Sequence, residues 1–143
     1  MNLKEFIYNL QNIKKFEDVK EILIKYNSDD WKKYINVNEK NYNKTKIYEN
    51  LNYEIYIITW NTRQYTKIHD HALYGCFLKL LKGKLKETIY CKNLDILKTN
   101  ILEENNISFM DNNIGFHTIN NDYDDISVSM HIYSPPNHIT KYL

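Results

Sequence analysis

The stretch His69-Asp70-His71-Ala72-Leu73-Tyr74-Gly75-Cys76-Phe77-Leu78-Lys79-Leu80-Leu81-Lys82-Gly83 decides how this chain is read. Along a β-strand successive side chains alternate, so His69 and His71 fall on one face and Asp70 on the other. Two imidazoles on one face reach a single metal ion that Asp70 cannot easily join. Cys76 to Leu81 then reads as a strand, stopped at Lys82-Gly83. Ahead of the histidines, Tyr53-Glu54-Ile55-Tyr56-Ile57-Ile58-Thr59-Trp60 is rich in β-branched and aromatic residues and reads as another strand. The pair therefore sits between two strands, where the mouth of a barrel lies. Much later, Gly115-Phe116-His117 with Asn121 offers a third histidine from a different strand. Three neutral imidazoles with open positions suit Fe, Zn, Cu or Ni.

Outward from that stretch the period of the apolar residues changes once. Leu3, Phe6, Ile7 and Leu10 follow helical spacing, and Asn2 with Glu5 forms a capping-box pattern. Val19, Ile22, Leu23 and Tyr26 give a second helical stripe, with Glu17 and Asp18 near its start and Lys25 near its end, as the helix dipole favours. A short third helix is expected from Asp29-Asp30, carrying Trp31, Tyr34 and Ile35. From about Tyr42 the period becomes that of strands. Lys84 to Cys91 is the expected hairpin partner of the Cys76–Leu81 strand. Asn105–Met110, His117–Asn120 and Ile126–Tyr133 follow, with a turn at Asp111-Asn112-Asn113. Pro135-Pro136 ends the last strand, because proline cannot donate to a ladder. Many short strands at close spacing predict a mainly β fold, a jelly-roll-like barrel with two or three N-terminal helices packed against it. The expected organisation is one domain over residues 1–143, helical over 1–41 and β over 42–143.

Composition excludes several classes. A formal net charge of +1 gives no field to steer the chain toward nucleic acid. No apolar run approaches the roughly 20 residues that span a bilayer. Thirteen tyrosines and an aromatic content of 14% argue against disorder. No apolar leader is visible, and the two cysteines, Cys76 and Cys91, do not read as a disulfide pair, so a cytoplasmic protein is expected, a monomer or weak dimer. Cys91, at a strand end, reads as a packing residue. The chain holds 20 Asn, 19 Ile and 18 Lys against one arginine, Arg63. With Asn so common, matches such as Asn43-Lys44-Thr45 carry no information.

A second constellation is Ser129-Met130-His131-Ile132-Tyr133. Its three polar residues alternate and so share one face of the last strand. An outward polar face is the ordinary explanation of such a row. The functional explanation is a row lining a cavity, with His131 positioning the Tyr133 hydroxyl.

The spacing of His69, His71, Cys76, Gly83, Gly115, His117 and Asn121 resembles the two-part cupin signature, with Cys76 where a metal-binding glutamate usually stands. Four segments together resemble the cysteine dioxygenase family: His69-Asp70-His71, the run from Cys76 to Thr88, Ile114-Gly115-Phe116-His117, and Ser129 to Pro136. The resemblance runs from roughly Tyr42 to Pro136 and is looser in the N-terminal helices. It implies a mononuclear iron(II) thiol dioxygenase that adds both atoms of O₂ to the sulfur of L-cysteine, giving cysteine sulfinate. It implies Fe(2+) held by His69, His71 and His117, and a Cys76–Tyr133 thioether with Ser129 and His131 orienting the tyrosine. The family grips the substrate carboxylate with a Tyr-x-Arg arginine, and here Tyr42-Asn43-Lys44 stands in that place. Lys44 keeps the charge without the bidentate fork. Arg63 is a rival carboxylate binder, although a solvated loop charge is its simpler explanation. His138 matches no family ligand and reads as a surface residue. Beside L-cysteine, the resemblance admits 3-mercaptopropionate or an N-terminal cysteine as substrate, and a non-catalytic metal- or thiol-binding cupin is the alternative outside enzymes.

Overall fold

In the computed structural model, which describes residues 1–143, the helical stripes become α1 (Leu3–Leu10) and α2 (Val19–Lys25). Short 3-10 turns form at Phe16–Asp18 and Asp30–Tyr34. The capping box forms in full: the Asn2 side chain accepts from Glu5 N at 2.9 Å, and Asn2 N donates to the Glu5 carboxylate at 3.4 Å. The apolar stripes, Leu3, Phe6 and Leu10 on α1 with Val19 and Leu23 on α2, are buried. No helix is long and apolar enough to cross a membrane.

Eight strands follow: β1 (Asn43–Glu49), β2 (Glu54–Trp60), β3 (Gly75–Lys82), β4 (Leu85–Tyr90), β5 (Ile96–Leu102), β6 (Ile107–Met110), β7 (Phe116–Asn120) and β8 (Ser127–Ser134). They pair into a five-stranded sheet, β1-β2-β8-β3-β6, and a three-stranded sheet, β5-β4-β7, antiparallel throughout. The mainly β, jelly-roll-like fold with N-terminal helices is thus as expected, but the barrel is open: the two sheets face each other and do not close into one hydrogen-bonded ring. β5 escaped the sequence reading because nearly all of it is exposed, so it carries no buried face to betray its period.

The strands β2 and β8 are buried on both faces. Ile55, Ile57, Val128, Met130, Ile132 and Phe77 pack outward against the helices. Ile58, Trp60, Leu78 and Leu80 pack inward against Leu85, Leu102 and Ile119 of the smaller sheet. A central sheet covered on both sides leaves neither face to solvent, so the polar residues on the inner face of β8, Ser129, His131 and Tyr133, are enclosed.

The hairpin expected at Lys82-Gly83 is a crossover instead. β3 pairs with β6 and β8, while β4 pairs with β5 and β7. Gly83 has φ +83°, and its backbone passes so close to Ile126 and Ser127 that a Cβ has no room. Ser127 Oγ accepts from Lys84 N at 3.1 Å and donates to Lys84 O at 2.7 Å. That pair of bonds carries the chain away from β3 and into the other sheet.

Lys79 lies in the middle of β3 on the helix side, and it is buried. Its ammonium donates to Leu23 O at 2.8 Å and to Tyr26 O. A cation at the carboxyl end of α2 satisfies carbonyls that the helix leaves open and complements its dipole. The strand thereby pins the helix to the sheet. Lys79→Met keeps most of the volume but removes both bonds, leaving Leu23 O with only Tyr26 N, so it should cost about 2 kcal/mol. Urea unfolding followed by circular dichroism would give a lower midpoint with an unchanged slope, and an unchanged midpoint would contradict this role.

Candidate metal centre

The chain between β2 and β3 runs along β7 and brings His69 beside His117. His69 N donates to His117 O at 3.3 Å, and His117 N donates to His69 O at 3.4 Å. Asn121 secures the start of this segment, its side-chain amide donating to the carbonyls of Trp60, Asn61 and Asp125. His69 and His71 therefore lie on an extended loop and not on a strand as expected; only the alternation survives. Asp70 does point the other way, accepting from Lys141 N at 2.7 Å and meeting His138 Nε2 at 3.0 Å. His71 is held through its backbone by Asn112, whose side chain accepts from His71 N and donates to His71 O, both at 2.9 Å.

The three imidazoles converge. Ring centroids lie 5.3 Å apart for His69 and His71, 4.6 Å for His69 and His117, and 4.4 Å for His71 and His117. One nitrogen from each falls within 4.8 Å of the other two. The outer hydrogen bonds fix the tautomers. His69 Nδ1 faces Lys67 O at 2.7 Å, and a carbonyl only accepts, so Nδ1 carries the proton and Nε2 a lone pair. His117 Nδ1 faces Glu87 Oε2 at 2.8 Å, with the same result. The two Nε2 atoms then stand 3.0 Å apart, lone pair toward lone pair. His71 has both ring nitrogens buried without a hydrogen-bond partner.

Protonation does not resolve this crowding. Burial lowers the pKa of all three histidines, His71 to about 2 with help from His117 and His69, and His117 far below its usual value. The His117–Glu87 contact is therefore a neutral N–H donating to Glu87 and not an ion pair; burial raises the Glu87 pKa, and the hydrogen bond from Ser108 draws it back in part. Three convergent, neutral nitrogen donors, two buried and that of His69 half-buried, fit a divalent transition metal. Glu87 supplies the outer carboxylate that metal-bound histidines usually have. It is buried and is itself held by Ser108 Oγ at 2.7 Å. Nothing in the sequence singled Glu87 out beyond its inward phase with Leu85 on β4.

The histidines form one wall of a cavity of about 50 Å³, enough for an ion with a few water-sized groups. The opposite wall is the inner face of the large sheet. On β8, Ser129 Oγ lies 2.8 Å from His131 Nε2, and His131 Nδ1 lies 3.2 Å from the Tyr133 hydroxyl. Trp60 Nε1 donates to Ser129 Oγ at 2.9 Å, a partner that sequence reasoning missed. Cys76 on β3 is directly opposite Tyr133 on β8, and its Sγ lies 3.9 Å from His131 Nδ1. Burial pushes the Cys76 thiol and the Tyr133 phenol up; Cys76 pushes the phenol further, whereas Lys44 and the hydrogen bond from Tyr133 draw the thiol back in part. Both stay protonated at neutral pH.

The remaining candidates separate. Lys44 and Tyr42 line the cavity. Tyr42 stacks on Trp60 with ring centroids 4.7 Å apart, and its phenol is pushed up to about 12 by burial and by Tyr142. Lys44 is exposed as a residue, and desolvation on the cavity side lowers its pKa. Arg63 does not reach the cavity: its exposed guanidinium pairs with Asp124 at 2.6 Å and donates to Asp122 O. The rival carboxylate-binder reading of Arg63 is thereby corrected to a loop charge. His138 is no free surface residue, since it is fixed to Asp70 at the cavity rim. The adjoining segment pairs with the loop, Asp70 N donating to Lys141 O and Leu143 N to Ile68 O, so that Tyr142 also lines the cavity. Cys91, half-buried beyond β4, lies outside it.

Comparison with known proteins bears on this geometry. A sequence model of the family described as Cysteine dioxygenase type I matches residues 2–142. Human cysteine dioxygenase type 1 is 32% identical over 130 residues, 84% of this chain and 65% of the relative. The zebrafish (Danio rerio) protein of that name is 30% identical over 131 residues, with the same coverage. The chain thus spans 65% of the length of these curated relatives. Among solved structures, a Thermus thermophilus protein superposes with TM-score 0.64 at 15% identity, over 76% of this chain and 96% of that one. A Klebsiella pneumoniae protein described as having a double-stranded β-helix domain gives TM-score 0.66 at 13% identity, over 82% and 96%. At such identities the structures speak to the fold alone.

If the nitrogen cluster is built for a metal, Glu87→Gln should weaken affinity for Fe(II) or Zn(II) by roughly 10- to 100-fold while leaving the fold intact. Competition with a metallochromic chelator measures this, and an unchanged affinity would contradict the assigned tautomer of His117.

Proposed function

The chain belongs to the cysteine dioxygenase type I family, and from that premise we propose that it is a thiol dioxygenase using O₂ and a small thiol, with L-cysteine as substrate and cysteine sulfinic acid as product. The reaction adds both oxygen atoms to one sulfur and leaves no oxidised by-product. The observation that carries this reading is the juxtaposition in one small cavity of the facing His69 and His117 lone pairs with the Trp60–Ser129–His131–Tyr133 row. In this reading His69, His71 and His117 hold a single Fe(2+), within one cupin domain over residues 1–143. Bound there, ferrous iron would supply a site for the thiolate and the one-electron redox chemistry that O₂ requires.

The protein's own residues do the rest. Three neutral imidazoles add no negative charge, which favours an anionic thiolate beside them. Tyr133 keeps its proton, because burial raises its pKa, and so serves as a hydrogen-bond donor toward the reacting groups. With Ser129 donating to His131 Nε2, the His131 Nδ1 proton points at the Tyr133 oxygen and leaves the phenol hydrogen free for the cavity. Trp60 fixes Ser129 and hence the direction of the whole row. Lys44 takes the substrate carboxylate, and Tyr42, stacked on Trp60, closes the side wall. Cys76 and Tyr133 sit opposite one another for a thioether bond from Sγ to a ring carbon beside the hydroxyl. Forming it removes one hydrogen from each residue, with O₂ as the acceptor. The cavity's small volume and the Lys141–Leu143 segment along its rim favour a free thiol over the N-terminal cysteine of a protein.

Iron-loaded protein given L-cysteine should consume one O₂ per sulfinate formed. His69→Ala should abolish this, and Tyr133→Phe should lower kcat on the order of 100-fold, the usual effect of removing one preorganised donor. No sulfinate from L-cysteine, 3-mercaptopropionate or cysteamine at full iron occupancy would leave a non-catalytic metal- or thiol-binding role as the reading. Intact-mass measurement after turnover should reveal a species lighter by two hydrogens, about 2 Da, absent in Cys76→Ala; an unchanged mass would exclude the thioether.

A further inference from the structure

β1 places two lysines on the cavity side; both ammonium groups stand over the Tyr56 ring, that of Lys46 at 5.6 Å, but only Lys46 has carboxylate partners. Lys46, opposite Tyr56 across the β1–β2 ladder, reaches Glu54 at 3.1 Å and Glu49 at 2.6 Å. Glu54 is buried on the inner face of β2, beside Tyr133, so its charge needs that partner. Lys44 makes no ion pair. Its ammonium stands over two aromatic faces, 4.5 Å from the Tyr56 ring centroid and 5.0 Å from that of Tyr133. The two rings meet edge to face, 5.8 Å apart at 79°. Tyr56 does not line the cavity itself. It touches both Lys44 and Tyr133, the two groups of the wall that meet substrate in the proposed function.

We propose that Tyr56 is a positioning residue: its ring, with that of Tyr133, holds the Lys44 ammonium at the cavity wall and keeps it free for a substrate carboxylate. This rests on the proposed function for the identity of the substrate. A lysine stem has four rotatable bonds and no planar fork, so a single ammonium has to be given its place by its surroundings. The π faces do this without consuming the charge. A carboxylate partner would neutralise it, and Glu54, the carboxylate nearest at hand on the inner face, is already engaged by Lys46. Specificity follows from the arrangement. Thiols that carry a carboxylate gain from a fixed Lys44, whereas cysteamine, which lacks one, does not.

Two readouts on the full chain test this, with Tyr56→Leu and Tyr56→Phe as variants. The first is independent of turnover. Lysines are labelled by reductive ¹³C-methylation in protein loaded with Zn(II) as a diamagnetic stand-in. The Lys44 resonance, identified by its loss in Lys44→Arg, should be shifted upfield by the rings. It should return toward the solvent position in Tyr56→Leu and stay shifted in Tyr56→Phe. The second is steady-state kinetics of the iron-loaded protein. Tyr56→Leu should raise KM for L-cysteine about three- to tenfold, the scale of one cation–π contact. It should change kcat less and leave KM for cysteamine where it was, and Tyr56→Phe should restore the wild-type KM. A Lys44 resonance insensitive to Tyr56→Leu, or a KM raised equally for both thiols, would overturn the proposal. If the wild type oxidises no thiol, the proposed function fails, and the resonance alone still decides whether Tyr56 positions Lys44.

Discussion

Two imidazole nitrogens 3.0 Å apart, each with its hydrogen directed away from the other, set the terms for everything around them. Such a contact is repulsive unless a cation lies near it. The protein has not relieved it by protonation, since burial keeps the imidazoles neutral, nor by letting a ring turn. Lys67 O grips His69 from behind and Glu87 grips His117, while Asn112 fixes the backbone of His71. Each of these partners lies on a different segment. The cost of holding three lone pairs together is therefore spread through the loop before β3, the turn after β6, and β4.

The sheets exist in a form that makes this possible. Because the chain crosses at Gly83 instead of folding back, β4 and β7 form their own sheet facing β3 and β8. His117 and Glu87 then belong to one wall and the Ser129–His131–Tyr133 row with Cys76 to the other. A hairpin at Gly83 would have put β4 in the same sheet as β3, and the two walls would not have faced each other. The N-terminal helices contribute at a distance. Anchored through Lys79, they cover the outer face of β2 and β8, which leaves the inner face of those strands for the cavity. On that face the charges are sorted in pairs, Lys46 with Glu54, and Lys44 on the tyrosine rings.

Much of this was legible in the sequence where a side-chain period or a fixed backbone property spoke directly. The capping box at Asn2 and Glu5, the alternation of Ser129, His131 and Tyr133, and the end of β8 before Pro135 follow from local rules and hold in three dimensions. The nearness of His69, His71 and His117 was legible as a set. What was not legible depends on which strand meets which. A Lys-Gly turn reads the same in a hairpin and in a crossover, and only the approach of Ser127 decides between them. Strand pairing likewise kept Arg63 out of the cavity and brought His138 and Tyr142 to its rim. Glu87, Trp60, Asn112 and Tyr56 looked like ordinary strand and turn residues. Their partners lie far along the chain, and nothing in their own neighbourhoods marks them.

The central claim is that the three imidazoles are the protein's whole contribution to a ferrous centre that accepts a thiolate. X-ray absorption at the iron edge tests it most directly, on anaerobic protein loaded with one Fe(II) per chain, before and after addition of L-cysteine. The account predicts outer-shell scattering from three imidazoles in both samples, and one sulfur neighbour that appears only with the thiol. Iron bound without the imidazole signature, or an iron environment that L-cysteine leaves unchanged, would contradict it.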